Sequence, residues 1–261
     1  MLLYRSKSDC RSTPDHEVEF RRLQLQRWFG WLALLPLGFG IVLYMRYVHR
    51  LRIRHHRKVR RRFYELTKHS KRFMICANHL TMVDSVILLW AFRSIPQYCL
   101  DYRLFSWNIP AFENFSDRFS WRIITFLTKC IPIERKGTKS HIDSVLHKLT
   151  RLLNDGDVCT IFPEGTRSRT GRVELSNATY GVGSVLNNVK DCDVLCVYLR
   201  GDSQESYSNF PSKGESFNIE IELITPKSDN VGLRAVRDIS MQILEKIKEM
   251  EERYFEEQRT S

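Results

Sequence analysis

No Cys-x-x-Cys pair occurs in the chain, its cysteines number seven, and no segment repeats or falls into low complexity. An odd count without close pairs argues against a disulfide framework. Cys192 and Cys196, four positions apart with no matching second pair, do not make a zinc site. Cys76, Cys130 and Cys159 lie inside apolar runs and are expected as buried, reduced thiols in a reducing compartment. Only one long uncharged run is present, which excludes a polytopic membrane protein. A hydrophobic fraction of 43% excludes a disordered or collagen-like chain. Acidic residues are scarce at one end only: residues 1–62 hold 4 Asp+Glu against 15 Lys+Arg, whereas residues 63–261 hold 26 of each. The net charge of +11 is therefore a device of the N-terminus. The 261 residues suffice for one large domain or two small ones.

The uncharged run is WFGWLALLPLGFGIVLYM, Trp28 to Met45. As a straight helix it rises about 27 Å, slightly short of a hydrocarbon core of ~30 Å. Pro36, Gly38 and Gly40 interrupt it, and Trp28, Trp31, Tyr44 and Tyr47 cluster near its ends as interfacial aromatics do. Its position and flanks are those of an anchor rather than a cleaved signal peptide. Three readings stand: one spanning helix, a hairpin dipping into one leaflet, or a buried core helix. Arg21, Arg22 and Arg27 precede it, and the run RLRIRHHRKVRRR follows. Dense positive charge favours the anionic cytoplasmic leaflet, which would put the downstream domain on the cytoplasmic side of a membrane. The basic run would also suit nucleic acid, but beside an apolar 18-mer the lipid headgroup is the nearer polyanion. The expected organisation is a loose polar segment over 1–20, a membrane anchor with its basic flank over 21–62, and a catalytic domain over 63–261.

Beyond residue 70, short apolar runs alternate with helical periodicity. Phe73–Ala77, Tyr98–Leu100, Cys130–Ile133, Val158–Phe162 and Val194–Leu199 are expected as strands, and the alternating Phe217–Leu223 as a half-exposed one. Helices are expected over Met82–Phe92, Arg118–Thr128, Ser140–Leu153, Ala178–Asn187 and Val231–Glu256. The last has a stripe of Leu233, Val236, Ile239, Ile243, Ile247 and Met250. This alternation predicts an α/β fold, a largely parallel sheet flanked by helices, with its site at the carboxyl ends of the strands.

Two blocks directly after expected strands hold chemistry. In Asn78-His79-Leu80-Thr81-Met82-Val83-Asp84, one continuous helix would set His79 and Asp84 about 140° apart. With His79 in the loop and Asp84 in the first helical turn, the carboxylate can hold one ring nitrogen and leave the other as a base. Thr81-x-x-Asp84 is equally a helix-capping pattern, so both readings stay open. Phe162-Pro163-Glu164-Gly165-Thr166-Arg167-Ser168 offers a carboxylate, a Gly turn and a guanidinium fork suited to phosphate, or else a solvated turn with a surface ion pair. A third block, Pro132-Ile133-Glu134-Arg135-Lys136-Gly137, reads alone as a basic surface turn.

Together NHLTMVD, PIERKG and FPEGTRS, in this order over about residues 70–200, resemble the glycerolipid acyltransferases typified by 1-acylglycerol-3-phosphate acyltransferase. The resemblance implies an αβ acyltransferase domain at a membrane. It implies transfer of a fatty acyl group from an acyl-CoA or acyl-carrier-protein thioester to the hydroxyl of a lysolipid, with no metal or other cofactor. His79 would be the general base and Asp84 its orienting partner. Asn78, Arg135, Glu164, Gly165, Thr166 and Arg167 would bind substrate. Two features depart from the family pattern. The run Asp193–Leu199 lacks a proline, and Thr179 stands where a lysine is frequent, which leaves the acceptor's headgroup open. The competing expectations are a catalytically silent membrane- or nucleic-acid-binding protein of the same fold, and a hydrolase that uses the same histidine on water.

Overall fold

The computed structural model describes residues 14–114, 119–134 and 137–260. Its helices are α1 (Pro14–Leu43), α2 (His56–Thr67), α3 (Asp84–Phe92), α4 (Ile95–Leu100), α5 (Phe119–Leu127), α6 (Lys139–Asn154), α7 (Gly181–Leu186) and α8 (Leu233–Thr260). Its strands are β1 (Arg52–Ile53), β2 (Phe73–Ala77), β3 (Trp107–Asn108), β4 (Cys159–Ile161), β5 (Asp193–Gly201) and β6 (Ser216–Ile224). They form one mostly parallel sheet in the order β1-β6-β5-β2-β4-β3, with β5 and β6 the antiparallel pair.

The central strands are apolar on both faces, as parallel strands under two layers of helix must be. Along β2, Met74 and Cys76 enter the core shared with α6, α7 and α8, while Phe73, Ile75 and Ala77 enter the core under α2 and α3. Along β5, Val194, Cys196 and Tyr198 take the first face and Leu195, Val197 and Leu199 the second. β6 alternates as expected. Phe217, Ile219 and Ile221 are buried, and on the other side Glu222 pairs with Lys246 at 2.8 Å and with Arg253, both on α8. The α8 stripe holds from Ile239 to Tyr254, whereas Leu233 is exposed.

Two expected strands fail for local reasons. Tyr98–Leu100 lies in α4, because Ser94 and Gln97 form a capping box (Ser94 N–H donates to Gln97 Oε1 at 2.9 Å) that starts a helix first. Cys130–Ile133 reaches its neighbours only at isolated bridges, Asn108 to Cys130 and Ala111 to Ile133. Pro110 and Pro132 have no N–H with which to continue a ladder. The helix expected from Ala178 begins only at Gly181, because the Thr179 N–H and Oγ1 both donate to the Pro163 carbonyl, each at 2.8 Å. The basic run is folded into the domain. β1 pairs with β6, and α2 buries Val59 and Phe63, the latter stacked on Phe92 at 4.6 Å. All six described cysteines are free; Cys76, Cys159, Cys192 and Cys196 are buried, and Cys130 is only partly covered.

Of the segment expected to be loose, Pro14 onward is helical, and residues 1–13 lie outside the described residues. From Val18 to Val48 this helix, closing in a π turn at Tyr44–Val48, is long and apolar enough to cross a membrane. It also docks on the domain. Gln26 Nε2 donates to the Phe126 and Cys130 carbonyls at 3.0 and 2.9 Å, and Leu34 is buried among Leu89, Ile95 and Tyr98. Arg27 pairs with Asp157, a fully buried carboxylate whose other oxygen lies 3.4 Å from Lys129 Nζ, itself fully buried. Lys129 also donates to the carbonyls of Tyr102 at 3.0 Å and Phe105 at 2.8 Å. Removing the shared anion leaves the Arg27 guanidinium unpaired and takes the carboxylate from Lys129, whose ammonium is already pushed well below the usual lysine range by burial. Asp157→Ala is therefore expected to cost about 3–5 kcal/mol in equilibrium denaturation. Lys129→Met, which leaves Asp157 paired with Arg27, is expected to cost less.

Candidate active site

β2 ends at Ala77 and the chain turns through Asn78–Val83 before α3 begins at Asp84. Asn78 is buried and spends its amide on β5: Nδ2 donates to the Leu199 carbonyl at 2.9 Å, and Oδ1 accepts the Leu199 N–H at 2.7 Å. Its side chain thus fastens the turn to the sheet and is not part of the cavity lining. His79 lies in the turn and Asp84 at the first helical residue, the arrangement that lets them meet. Nδ1 of His79 lies 3.0 Å from Asp84 Oδ2, the geometry of an N–H donated to a carboxylate.

The Asp84 carboxylate is almost wholly buried, and three further donors converge on it: the Leu80 N–H at 2.7 Å, the Thr81 N–H at 2.8 Å and Thr81 Oγ1 at 2.5 Å. The capping and the orienting readings are therefore one fact. The same carboxylate closes the turn and holds the imidazole. Thr81, for which the sequence suggested only a capping role, supplies two of the four bonds.

The second block follows β4 and lies against the first. The His79 carbonyl accepts the Ser168 N–H at 2.9 Å, and the His79 N–H donates to Glu164 Oε1 at 3.3 Å. The His79 ring stacks on Phe162 at 4.0 Å with 18° between planes. Glu164 is buried, and its Oε2 accepts no hydrogen bond among the described residues. Burial pushes its carboxyl up to about 7, opposed by the bond from the His79 N–H and assisted by the nearby Glu251 charge. Gly165 has φ +67, and a Cβ there would meet Thr179 Cγ2 at 2.5 Å, so position and neighbour both demand glycine. Arg167 Nη1 donates to the Ser208 carbonyl at 2.9 Å and to Asn209 Oδ1 at 2.7 Å, while its guanidinium lies 5.5 Å from the Tyr207 ring. The loop that follows is tied to α8, where the buried Glu251 accepts the Val173 N–H at 3.0 Å.

His79, Glu164, Gly165, Thr166 and Arg167 share the rim of one cavity of about 1020 Å³. Its remaining walls are mainly apolar, with Leu37 and Ile41 from α1, Val86 from α3, Ile124 from α5 and Val145 and Leu149 from α6. Asp84 sits behind His79, outside the lining. Arg135 lies outside the described residues; Ile133 of the same block reaches the cavity. The wall supplied by α1 and the loop at 207–210 have no signal in the sequence near the motifs, because both approach from distant parts of the chain.

An imidazole held by a buried carboxylate and lining a mainly apolar chamber can serve as a general base toward a substrate with an apolar part. The model of the Acyltransferase family matches residues 51–200, which include both motif loops. The chain belongs to the Acyltransferase family and is an acyltransferase. A comparison with curated proteins returns no match.

Two substitutions test the second loop. Glu164 has a raised folded-state pKa, so its stabilising contribution is complete below the unfolded value of ~4.3 and is lost as pH rises through about 7. Glu164→Gln keeps the acceptor for the His79 N–H and removes this loss. Thermal unfolding of the variant is expected to gain on the parent by up to about 3 kcal/mol between pH 4 and pH 8. Gly165→Ala places a Cβ at a left-handed backbone position against Thr179. Denaturation is expected to show a loss of about 1–3 kcal/mol.

Proposed function

We propose that this acyltransferase moves a fatty acyl group from an acyl-CoA or acyl-carrier-protein thioester to the hydroxyl of a lysolipid such as 1-acylglycerol-3-phosphate, in phospholipid biosynthesis or remodelling. The supporting observation is the 3.0 Å His79–Asp84 pair at the rim of the apolar cavity. Asp84 holds Nδ1 protonated, so Nε2 accepts the proton of the acceptor hydroxyl as its oxygen attacks the thioester carbonyl. The C–S bond of the tetrahedral intermediate breaks, the thiolate takes the proton back from imidazolium, and the products are an ester and a free thiol. The histidine ends as it began, and the scheme needs no acyl-enzyme.

Arg167 keeps Nε and Nη2 without hydrogen bonds among the described residues, and this half of its fork suits a phosphate on the acceptor. Oε2 of Glu164, buried and without a hydrogen-bond partner among the described residues, would accept from a hydroxyl that entered beside it. Arg135 would add a cation, and Gly165 and Thr166 would let the backbone approach the headgroup. Asn78 would contribute by holding the turn. The acyl chains would occupy the apolar chamber. The protein would work at a membrane with the catalytic domain on the cytoplasmic side, membrane lipids and the thioester carrier being its partners. The basic residues from Arg46 to Arg62 support that side through the anionic leaflet.

The test is acyl transfer by purified protein in detergent, with CoA and carrier-protein thioesters and a panel of lysolipids. Wild type is expected to form product with at least one acceptor. His79→Ala and Asp84→Asn are each expected to lose about 10²–10⁴-fold in kcat while binding vesicles unchanged. Turnover by His79→Ala within a few-fold of wild type would overturn the mechanism. Thioester cleavage at the same rate without any acceptor would indicate a hydrolase.

A further inference from the structure

α1 is apolar on both sides, and the two sides have different fates. Its inner face meets the domain at Glu19, which pairs with Lys148, then at Leu23, Gln26, Gly30, Leu34 and finally Met45. Most of these contacts step by three or four residues, so one face is held along about 39 Å of helix. A helix fixed sideways over that length cannot stand across a bilayer with the domain in water. Crossing would either draw Lys148 and Asp157 toward hydrocarbon or strip the whole face, Arg27–Asp157 pair included.

The outer face repeats the same spacing with Leu25, Trp28, Leu32, Leu35, Phe39 and Leu43, each between 44% and 57% exposed. α5 extends it. Phe119, Ile123 and Phe126 are exposed there, and the Phe126 ring lies 6.5 Å from Phe29 on α1. Exposed arginines bracket the stripe, Arg21 and Arg22 before it and Arg46 and Arg50 after it. A long apolar stripe with aromatic residues and basic ends is the pattern of a helix lying in the headgroup–acyl boundary of an anionic leaflet. A protein partner would need no such charge at both ends.

We propose that α1 and α5 together form one lipid-facing surface that seats the protein in the plane of a single anionic leaflet, with α1 crossing nothing and both its ends on the domain's side. This placement depends on the docking of α1 and not on the reaction proposed above.

Two measurements decide it. The full chain, with an epitope at each terminus, is expressed in cells, and sealed membrane vesicles are prepared with their cytoplasmic face outward. Added protease is expected to remove both epitopes at the same rate. An N-terminal epitope protected until detergent opens the vesicles, while the C-terminal one is cut, would overturn the proposal. In the second, Leu32→Glu/Leu35→Glu alters two outward positions outside the cavity. Its circular dichroism and thermal unfolding are expected to match the parent, and its Kd for phosphatidylcholine–phosphatidylglycerol vesicles to rise about 100-fold. Unchanged vesicle binding, together with conversion of a dimer in detergent to monomer, would assign the face to a second copy of the chain and overturn the lipid reading.

Discussion

The geometry at the end of β2 depends on one buried carboxylate. Stripping an ion of water costs several kcal/mol in a protein interior unless donors replace that water. Asp84 meets four: the imidazole, two consecutive backbone N–H groups and the Thr81 hydroxyl. The turn must close tightly to bring these together, and its closure sets where α3 begins and where the imidazole sits. The second loop then builds on the first through the Ser168 N–H and Glu164, and Phe162 fixes the ring plane. The rim is in this sense one hydrogen-bonded unit and not two loops that happen to be near each other.

Much of that unit was legible because its parts are close in sequence. The spacing of His79 and Asp84 admits few pairings once a strand precedes them, and FMICA could only be a strand buried on both sides. What stayed hidden is what distance in sequence conceals. Gln26 answers carbonyls about a hundred residues away, and Arg167 is held by Ser208 and Asn209 from the β5–β6 connection. No local pattern announces either. Errors arose where a backbone rule outweighed hydrophobicity. A capping box claimed Tyr98–Leu100 for a helix, and prolines denied Cys130–Ile133 a ladder. Charge misled in a third way, since Val59 and Phe63, spaced one helical turn apart, were hard to see among the arginines of α2.

The ion cluster of Arg27, Asp157 and Lys129 ties an apolar helix to a domain whose core that helix helps to fill, through Leu23 and Leu34. Apolar contact alone would let that helix slide or detach in lipid, where hydrocarbon competes equally for its surface. A buried charge is less forgiving, because among the described residues Arg27 and Lys129 are the cations that pair with Asp157, and a displaced α1 would leave the carboxylate short of one. Register along the domain is thus set electrostatically and filled in by packing.

Residues 51–200 define the chain's kinship, but they do not define its chamber. Leu37 and Ile41 close one side of that chamber from a helix that ends before the matched stretch begins. A fragment cut to the shared region would keep His79, Asp84 and Glu164 while replacing a wall with solvent. It would also lose β6 and α8, which complete the sheet and cover it. Bulk water would then reach the imidazole from the side where the proposed reaction would seat an acyl chain. On the proposed reaction, fidelity, in the sense of choosing an alcohol over water, would reside partly in a helix that contains none of the family's motifs.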